Sequence, residues 1–210
     1  MIPRALLLGF AALIAGAQVA LASDYPIEAK TSDGKTVNLY EDGTWRPKTL
    51  KVDHEIIRKD KFATSVLQSR LRFYEFWYDP KLWQPEEPAQ GEAFEVVFTY
   101  QGATDEAWCG IIPERSQMTQ DALVGAVFQN FQSAAADTKM LQRSRAYVNS
   151  LRGDIVEMTG TFDGFHIAYS TFAWSGNPGT VQITCWTFPN LLDEYRPIFG
   201  KFYGGFELKG

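Results

Sequence analysis

Val181-Gln182-Ile183-Thr184-Cys185-Trp186-Thr187-Phe188 is the clearest strand in the chain, a run rich in β-branched and aromatic residues in which Val181, Ile183 and Cys185 share one face. The cluster Ser175-Gly176-Asn177-Pro178-Gly179 just before it reads as a loop. Earlier strands are expected over Phe165 to Trp174, Asp154 to Phe162 and Arg145 to Val148. Asp163-Gly164 is a tight-turn signal, because glycine accepts the positive φ that such turns require. A meander is therefore expected. Beyond the strand, Asn190 is placed to cap a last helix with Asp193 and Glu194 in its first turn. Leu191, Leu192, Tyr195, Phe199 and Phe202 face inward, Pro197 bends the helix partway, and Gly204-Gly205 is read as an ordinary C-terminal stop.

Upstream, Phe73 to Tyr78 is an aromatic strand ended by Asp79-Pro80, and Lys81-Leu82-Trp83 is expected to make one turn of helix before the Pro- and Glu-rich stretch Gln84 to Gln90. Phe94, Val96, Phe98 and Tyr100 alternate with Glu95, Val97 and Thr99, a second strand with one strongly apolar face. Trp108 to Ile112 is a third, leading to a helix that Thr119 can cap, with Asp121 in its first turn. Its Leu123, Val127 and Phe131 form one stripe, with Val124 and Phe128 beside it, which marks a sheet-packing helix. Strands, helix, strands, helix is the order of an α+β fold: a mainly antiparallel sheet flanked by helices, an α/β/α sandwich rather than a doubly wound parallel sheet.

The first residues read as an address. Met1 to Arg4, the apolar run Ala5 to Ala17 and Ala20-Leu21-Ala22 before Ser23 give a signal peptide over residues 1–22. The mature protein is expected in a bacterial periplasm, or secreted, without stable membrane insertion after cleavage. Residues 23–48 read as a short β-meander of strands Ile27 to Thr31, Thr36 to Tyr40 and Thr44 to Arg46, turned at Asp33-Gly34 and Asp42-Gly43. So small a ribbon is not stable alone. Residues 49–61 form a linker in which Asp53 can cap a short helix through Ile56 and Ile57, and 62–210 form the main domain.

Twenty Lys+Arg against 25 Asp+Glu in 210 residues give a net charge of −5, which argues against nucleic acid as a partner. Cys109 and Cys185 are the only cysteines, and in an exported chain an even count favours a disulfide between them. If their strands are neighbours the sulfurs can meet, since Cys109 shares a face with Ile111. The alternative is two separately buried thiols. His54-Glu55 opens like a zinc-protease motif, but Arg58 stands where the second histidine belongs. His166 lies near Asp163 and Glu157 in sequence, yet alternation groups it with Ala168, Ser170 and Phe172, which favours a structural histidine. No G-x-S-x-G, phosphate loop or G-x-G-x-x-G occurs. No catalytic, cofactor-binding or metal-binding residue is assigned, and no cofactor is expected. The tryptophans read as core, with Trp174 beside the Ser175–Gly179 loop as the candidate exposed contact.

The run from Phe73 to Trp83, the helix after Met118-Thr119, the strand Val181 to Thr187 and the ending from Leu192-Asp193-Glu194-Tyr195 to Gly204-Gly205-Phe206 together resemble the PsbP/DcrB-like group of small exported or lumenal domains, over about residues 62–208. The Asp-Gly-Thr-Trp stretch Asp42 to Trp45 is similar to a short β element near the start of many exported bacterial proteins. The resemblance implies an antiparallel sheet between helices and an accessory or binding role without catalysis, and it brings no active site. The expected function is a non-enzymatic accessory protein acting through a surface on a protein partner in the cell envelope or an unidentified small ligand. The alternatives are a small-molecule or lipid carrier with a cleft between helix and sheet, and an envelope hydrolase with dispersed residues around His166.

Overall fold

The computed structural model describes residues 27–30, 36–39, 45–47, 55–102 and 106–209. They divide between two compact units, one within Leu13–Asp53 and one within His54–Gly210. The expected signal peptide, the Asp33-Gly34 and Asp42-Gly43 turns, Asp53 and His54 lie outside the described residues.

In the first unit, β1 (Ile27–Lys30), β2 (Thr36–Leu39) and β3 (Trp45–Pro47) form an antiparallel ribbon in that order. Leu39 is its pivot, paired with Ile27 on one side and Trp45 on the other.

The second unit is built on eight strands: β4 (Glu55–Ile57), β7 (Trp83–Glu86), β8 (Val96–Tyr100), β9 (Trp108–Glu114), β10 (Lys139–Val148), β11 (Leu151–Phe162), β12 (Phe165–Gly176) and β13 (Gly179–Thr187). Across the sheet they run β4-β10-β11-β12-β13-β9-β8-β7, antiparallel except for the parallel pair β4 and β10. Every residue of β13 is buried. This strand is covered on both faces, which explains its near-continuous apolar and β-branched text.

One face packs on α1 (Gln120–Ala134), whose Leu123, Val124, Val127 and Phe131 meet Val156, Met158, Ile167 and Tyr169 of the sheet. Thr119 caps α1 as expected, its hydroxyl accepting from the Ala122 N–H at 3.2 Å. The other face packs on α2 (Leu192–Tyr203) and on a small antiparallel sheet ordered β14-β6-β5, where β5 is Ser65–Gln68, β6 is Tyr74–Tyr78 and β14 is Phe206–Leu208. The α+β architecture with an antiparallel-dominated sheet between helices is as expected.

Several local expectations are corrected. The aromatic strand β6 belongs to the small sheet and not to the main one. Glu55–Ile57, placed in the linker as part of a short helix, extend the main sheet as β4. Lys81-Leu82 lie in a turn closed by the Trp83 N–H donating to the Asp79 carbonyl at 2.9 Å, and Trp83 already opens β7. That strand tolerates Pro85 because it is a sheet edge. The Ser175–Gly179 loop contracts to Asn177-Pro178, since Gly176 pairs with Gly179. Asn190 does not cap α2. It sits in a 3-10 turn, Pro189–Leu191, and Leu191 at the cap position makes no side-chain bond. Gly204-Gly205 serves close approach rather than a left-handed stop. A Cβ on Gly205 would lie 1.9 Å from the Trp77 carbonyl oxygen, where the chain turns into β14.

Candidate functional site

A cleft of about 420 Å³ opens between α2, β6 and the turns at 60–63 and 79–82. Its floor is aromatic and closely packed. The rings of Trp83 and Phe202 are 4.5 Å apart between centroids, Trp83 and Tyr100 are 5.1 Å apart, and Phe98 supports Phe202 edge-on at 5.1 Å. Trp83 and Phe202 are almost fully buried, whereas Trp77, Tyr78 and Ile198 are half-buried in the walls. Phe62 stands at the mouth with 58% of its surface exposed.

Two aspartates shape the turns that frame this space. The Asp79 carboxylate accepts from the Lys81 N–H at 2.9 Å while its carbonyl takes the Leu82 and Trp83 N–H groups, and this fixes where Trp83 enters the sheet. Asp60 does the same for the other rim, its carboxylate accepting from the Phe62 N–H at 3.0 Å and its carbonyl from the Ala63 N–H. Trp77 is held by its backbone N–H to Gly205, by its indole N–H to Glu75 at 3.1 Å, and by the Lys59 ammonium 4.2 Å from its ring. Burial, with the neighbouring Tyr195, pushes the Tyr100 hydroxyl above its ordinary pKa of 10.0, so it is a neutral group at physiological pH.

Other polar constellations in the second unit are consumed by structure. Buried Glu157 receives two bonds from the Arg196 guanidinium, at 2.7 and 3.0 Å, and Arg196 also reaches Asp193 at 2.7 Å. Arg143 bridges Asp121 and Asp154 at 2.5 and 2.7 Å. A second cavity of about 320 Å³ beside β5 and β7 has its charges committed. Arg70 pairs with Glu87 at 2.9 Å, and Glu95 takes the Tyr74 hydroxyl at 2.5 Å, the Ser69 hydroxyl and the Arg70 N–H.

Cys109 and Cys185 are joined in a disulfide, opposite each other on β9 and β13. Both cysteines point to the α2 face with Ile111, Val181 and Ile183, as the alternation predicted. His166 is not a core histidine. It is exposed at the start of β12, with Nδ1 3.3 Å from the Thr161 hydroxyl, which in turn bonds Asp137 at 2.7 Å. Neither Asp163 nor Glu157 joins it: Asp163 is in the β11–β12 turn and Glu157 is bound to Arg196. The order acid, hydroxyl, imidazole differs from a nucleophilic set, where the imidazole stands between acid and hydroxyl. Trp174 is not an exposed contact either; it is 5% exposed and packs on Phe206 at 5.6 Å. Glu55 of the abortive zinc motif faces α2, its carboxylate close enough to touch a Cβ on Gly200 at 3.4 Å. No group of three or more metal-ligating side chains is present among the described residues.

The sequence names a cleft between helix and sheet among the alternatives but none of its residues, because they come from β6, β7, β8, α2 and a loop, and each aromatic taken singly looks like core. The one available signal was Phe62, an aromatic in the charged text around Lys59 to Lys61.

No family model matches the chain and no curated relative matches it. Among solved structures, the cyanobacterial PsbP (CyanoP) of Synechocystis sp. PCC 6803 is similar at a TM-score of 0.52 and 11% identity, over 69% of this chain and 92% of that one. A protein of unknown function from Pseudomonas aeruginosa, described as a putative regulator, is similar at 0.47 and 12% identity, over 67% of this chain and 93% of its own. LpqN, involved in cell envelope biogenesis of Mycobacterium tuberculosis, is similar at 0.43 and 8% identity, over 72% and 87%. At such identities the likeness is one of fold, and the CyanoP match supports a PsbP-like fold.

Proposed function

We propose that the chain is an exported, non-catalytic accessory protein of the cell envelope that works by binding, with the α2 cleft as its binding surface. The observation that carries this reading is the cleft itself: a buried aromatic floor, half-exposed aromatic walls and an apolar side chain left in water at the mouth. Among the described groups that sequence motifs single out, Glu157 is bound to Arg196 and Asp163 lies in the β11–β12 turn. A disulfide at the centre of the main sheet supports an oxidising compartment and hence export. No helix among the described residues is long and apolar enough to cross a membrane.

Native mass spectrometry of the protein purified from its own envelope extract tests the reading. A ligand or partner retained by the parent and lost from Ile198→Asp supports it. A bare monomer for both, together with hydrolytic activity that disappears in His166→Ala, overturns it in favour of an enzyme. The denatured mass of the same sample checks removal of residues 1–22.

A further inference from the structure

We infer that the free edge of β5 takes an extended segment of a partner protein as an added strand, one that carries lysine or arginine on either side of an apolar side chain where it faces the cavity between β5 and β7. This surface is distinct from the α2 cleft, so the inference goes beyond the proposed function and does not depend on it.

The backbone makes the edge. The Ser69 N–H donates to the Tyr74 carbonyl, and in the same register Leu67 lies opposite Phe76 and Ser65 opposite Tyr78. These three residues bond to β6, whereas Val66 and Gln68 turn their N–H and C=O groups outward. Those outward groups have no hydrogen bond among the described residues, and Val66 is 40% exposed. The edges at β7, β10 and β14 are guarded instead. On β7 the Leu82 carbonyl accepts from the Gln101 N–H, which leaves Trp83 and Pro85 at the outward positions, and proline has no N–H to offer. Beyond β4, β10 carries Lys139, Arg143, Arg145 and a bulge. On β14 the Phe206 carbonyl accepts from the Asn149 side-chain amide at 3.0 Å. No proline and no charge guards β5 from Ala63 to Ser69.

The occupant is selected by what lies beside that edge. A strand added there runs about 4.8 Å from β5, and its alternate side chains enter the cavity of about 320 Å³, whose apolar lining is Leu67, Pro85 and Val96. The charged lining is Glu86, Glu87 and Glu95 against Arg70 alone. The bonds that Arg70 makes to Glu87 and that Glu95 receives leave these charges in place, so three carboxylates face one guanidinium and the excess is negative. A cationic strand complements this rim and an acidic one is repelled by it. A second copy of the chain would set the same acidic rim against this one.

The protein as exported, labelled with nitrogen-15, is titrated at low ionic strength with three capped peptides: Thr-Lys-Thr-Leu-Thr-Lys-Thr, the same sequence with Glu for Lys, and the lysine peptide with Pro for its two inner threonines. Amide shifts read the binding, and hydrogen exchange reads the Val66 and Gln68 amides. The lysine peptide is expected to bind saturably, roughly tenfold more tightly than the glutamate peptide, and to slow exchange at both amides. The proline peptide keeps the charge but cannot complete the ladder, so it binds weakly and protects neither amide. E86Q/E87Q removes most of the difference between the lysine and glutamate peptides. No saturable binding of the lysine peptide by folded parent protein, or binding that leaves Val66 and Gln68 unprotected, overturns strand addition. Equal binding of the lysine and glutamate peptides to the parent, or a preference for lysine undiminished in E86Q/E87Q, overturns the cationic class. Protection of the two amides that grows with protein concentration in the absence of peptide, together with a dimer in sedimentation, assigns the edge to a second copy and overturns the partner. The α2 cleft reading is untouched by any of these results, because its own test reads Ile198→Asp.

Discussion

Cys109 and Cys185 face each other across the β9–β13 ladder with their Cα atoms 4.0 Å apart, so the disulfide ties two strands that hydrogen bonds already join. The bond lies in the apolar layer shared with Ile111 and Ile183, directly under α2. Its effect on stability therefore comes through the unfolded chain, where it restrains residues 76 apart in sequence.

Reduction, or a C109A/C185A variant, is expected to leave the fold intact and to lower its stability by up to about 4.5 kcal/mol on the chain-entropy relation. A urea titration with and without reductant measures this. A thiol count on unreduced, denatured protein should be zero, and two titratable thiols would refute the bridge.

Arg196 is expected to matter more through Glu157 than through its own charge. Glu157 is 2% exposed and satisfied by the two guanidinium bonds, whereas Arg196 is 41% exposed. Arg196→Ala strands a buried carboxylate and should cost about 2–3 kcal/mol, below the range for a fully buried pair because water still reaches the arginine. Replacing both, as E157Q/R196M, should recover most of the loss. A double variant as unstable as the single one would show that the pair does more than neutralise a buried charge.

Glu55 makes stability depend on pH. Burial raises its pKa above the ordinary 4.5, the Glu157 charge adds to this, and Arg196 offsets it in part. A carboxyl raised in the folded state keeps its proton there after the unfolded chain has lost it. Stability contributed at this site therefore falls as pH rises through the window above 4.5 and stays lower beyond it. Glu55→Gln should gain on the parent between pH 4 and pH 7, with no difference at the acid end. Urea midpoints at the two pH values decide it, and an equal offset at both would mean the site does not titrate in that window.

The elements legible from sequence are those whose burial is written into a period. Strand β13 shows its burial on both faces as a continuous run, and α1 shows one stripe and one cap. Strands β4, β5 and β14 have three or four residues each, too few for a period, so the small sheet was invisible and β6 was assigned to the only sheet in view. The start of β10 was hidden differently: Lys139, Gln142, Arg143 and Ser144 are polar, and a bulge between Met140 and Gln142 breaks the alternation. The disulfide was legible because both cysteines sat in readable strands. The lining of the cleft was not, because a concavity between elements far apart in sequence leaves no local pattern.

Two glycines separate backbone conformation from close packing. Gly164, at φ 83° after Asp163 at φ 48°, closes the β11–β12 turn with open space around the position a Cβ would take. Gly164→Ala should thus cost only the left-handed penalty, about 1 kcal/mol. Gly205 has no such φ, but a Cβ there would lie 1.9 Å from the Trp77 carbonyl oxygen, a backbone atom that cannot step aside without opening β14 from β6. Gly205→Ala is expected to cost about 3 kcal/mol or more, at the upper end of overpacking. It should also act locally. The Trp77 amide, which donates to the Gly205 carbonyl at 2.8 Å, should exchange with solvent faster, and the Trp77 wall of the cleft should loosen. Hydrogen exchange on the two variants gives the contrast, since Gly164→Ala leaves the Trp77 amide protected apart from its global loss of stability. Equal, small losses in both variants would show that the β6–β14 junction accommodates a methyl group and that Trp77 is held by its other contacts, to Glu75 and Lys59.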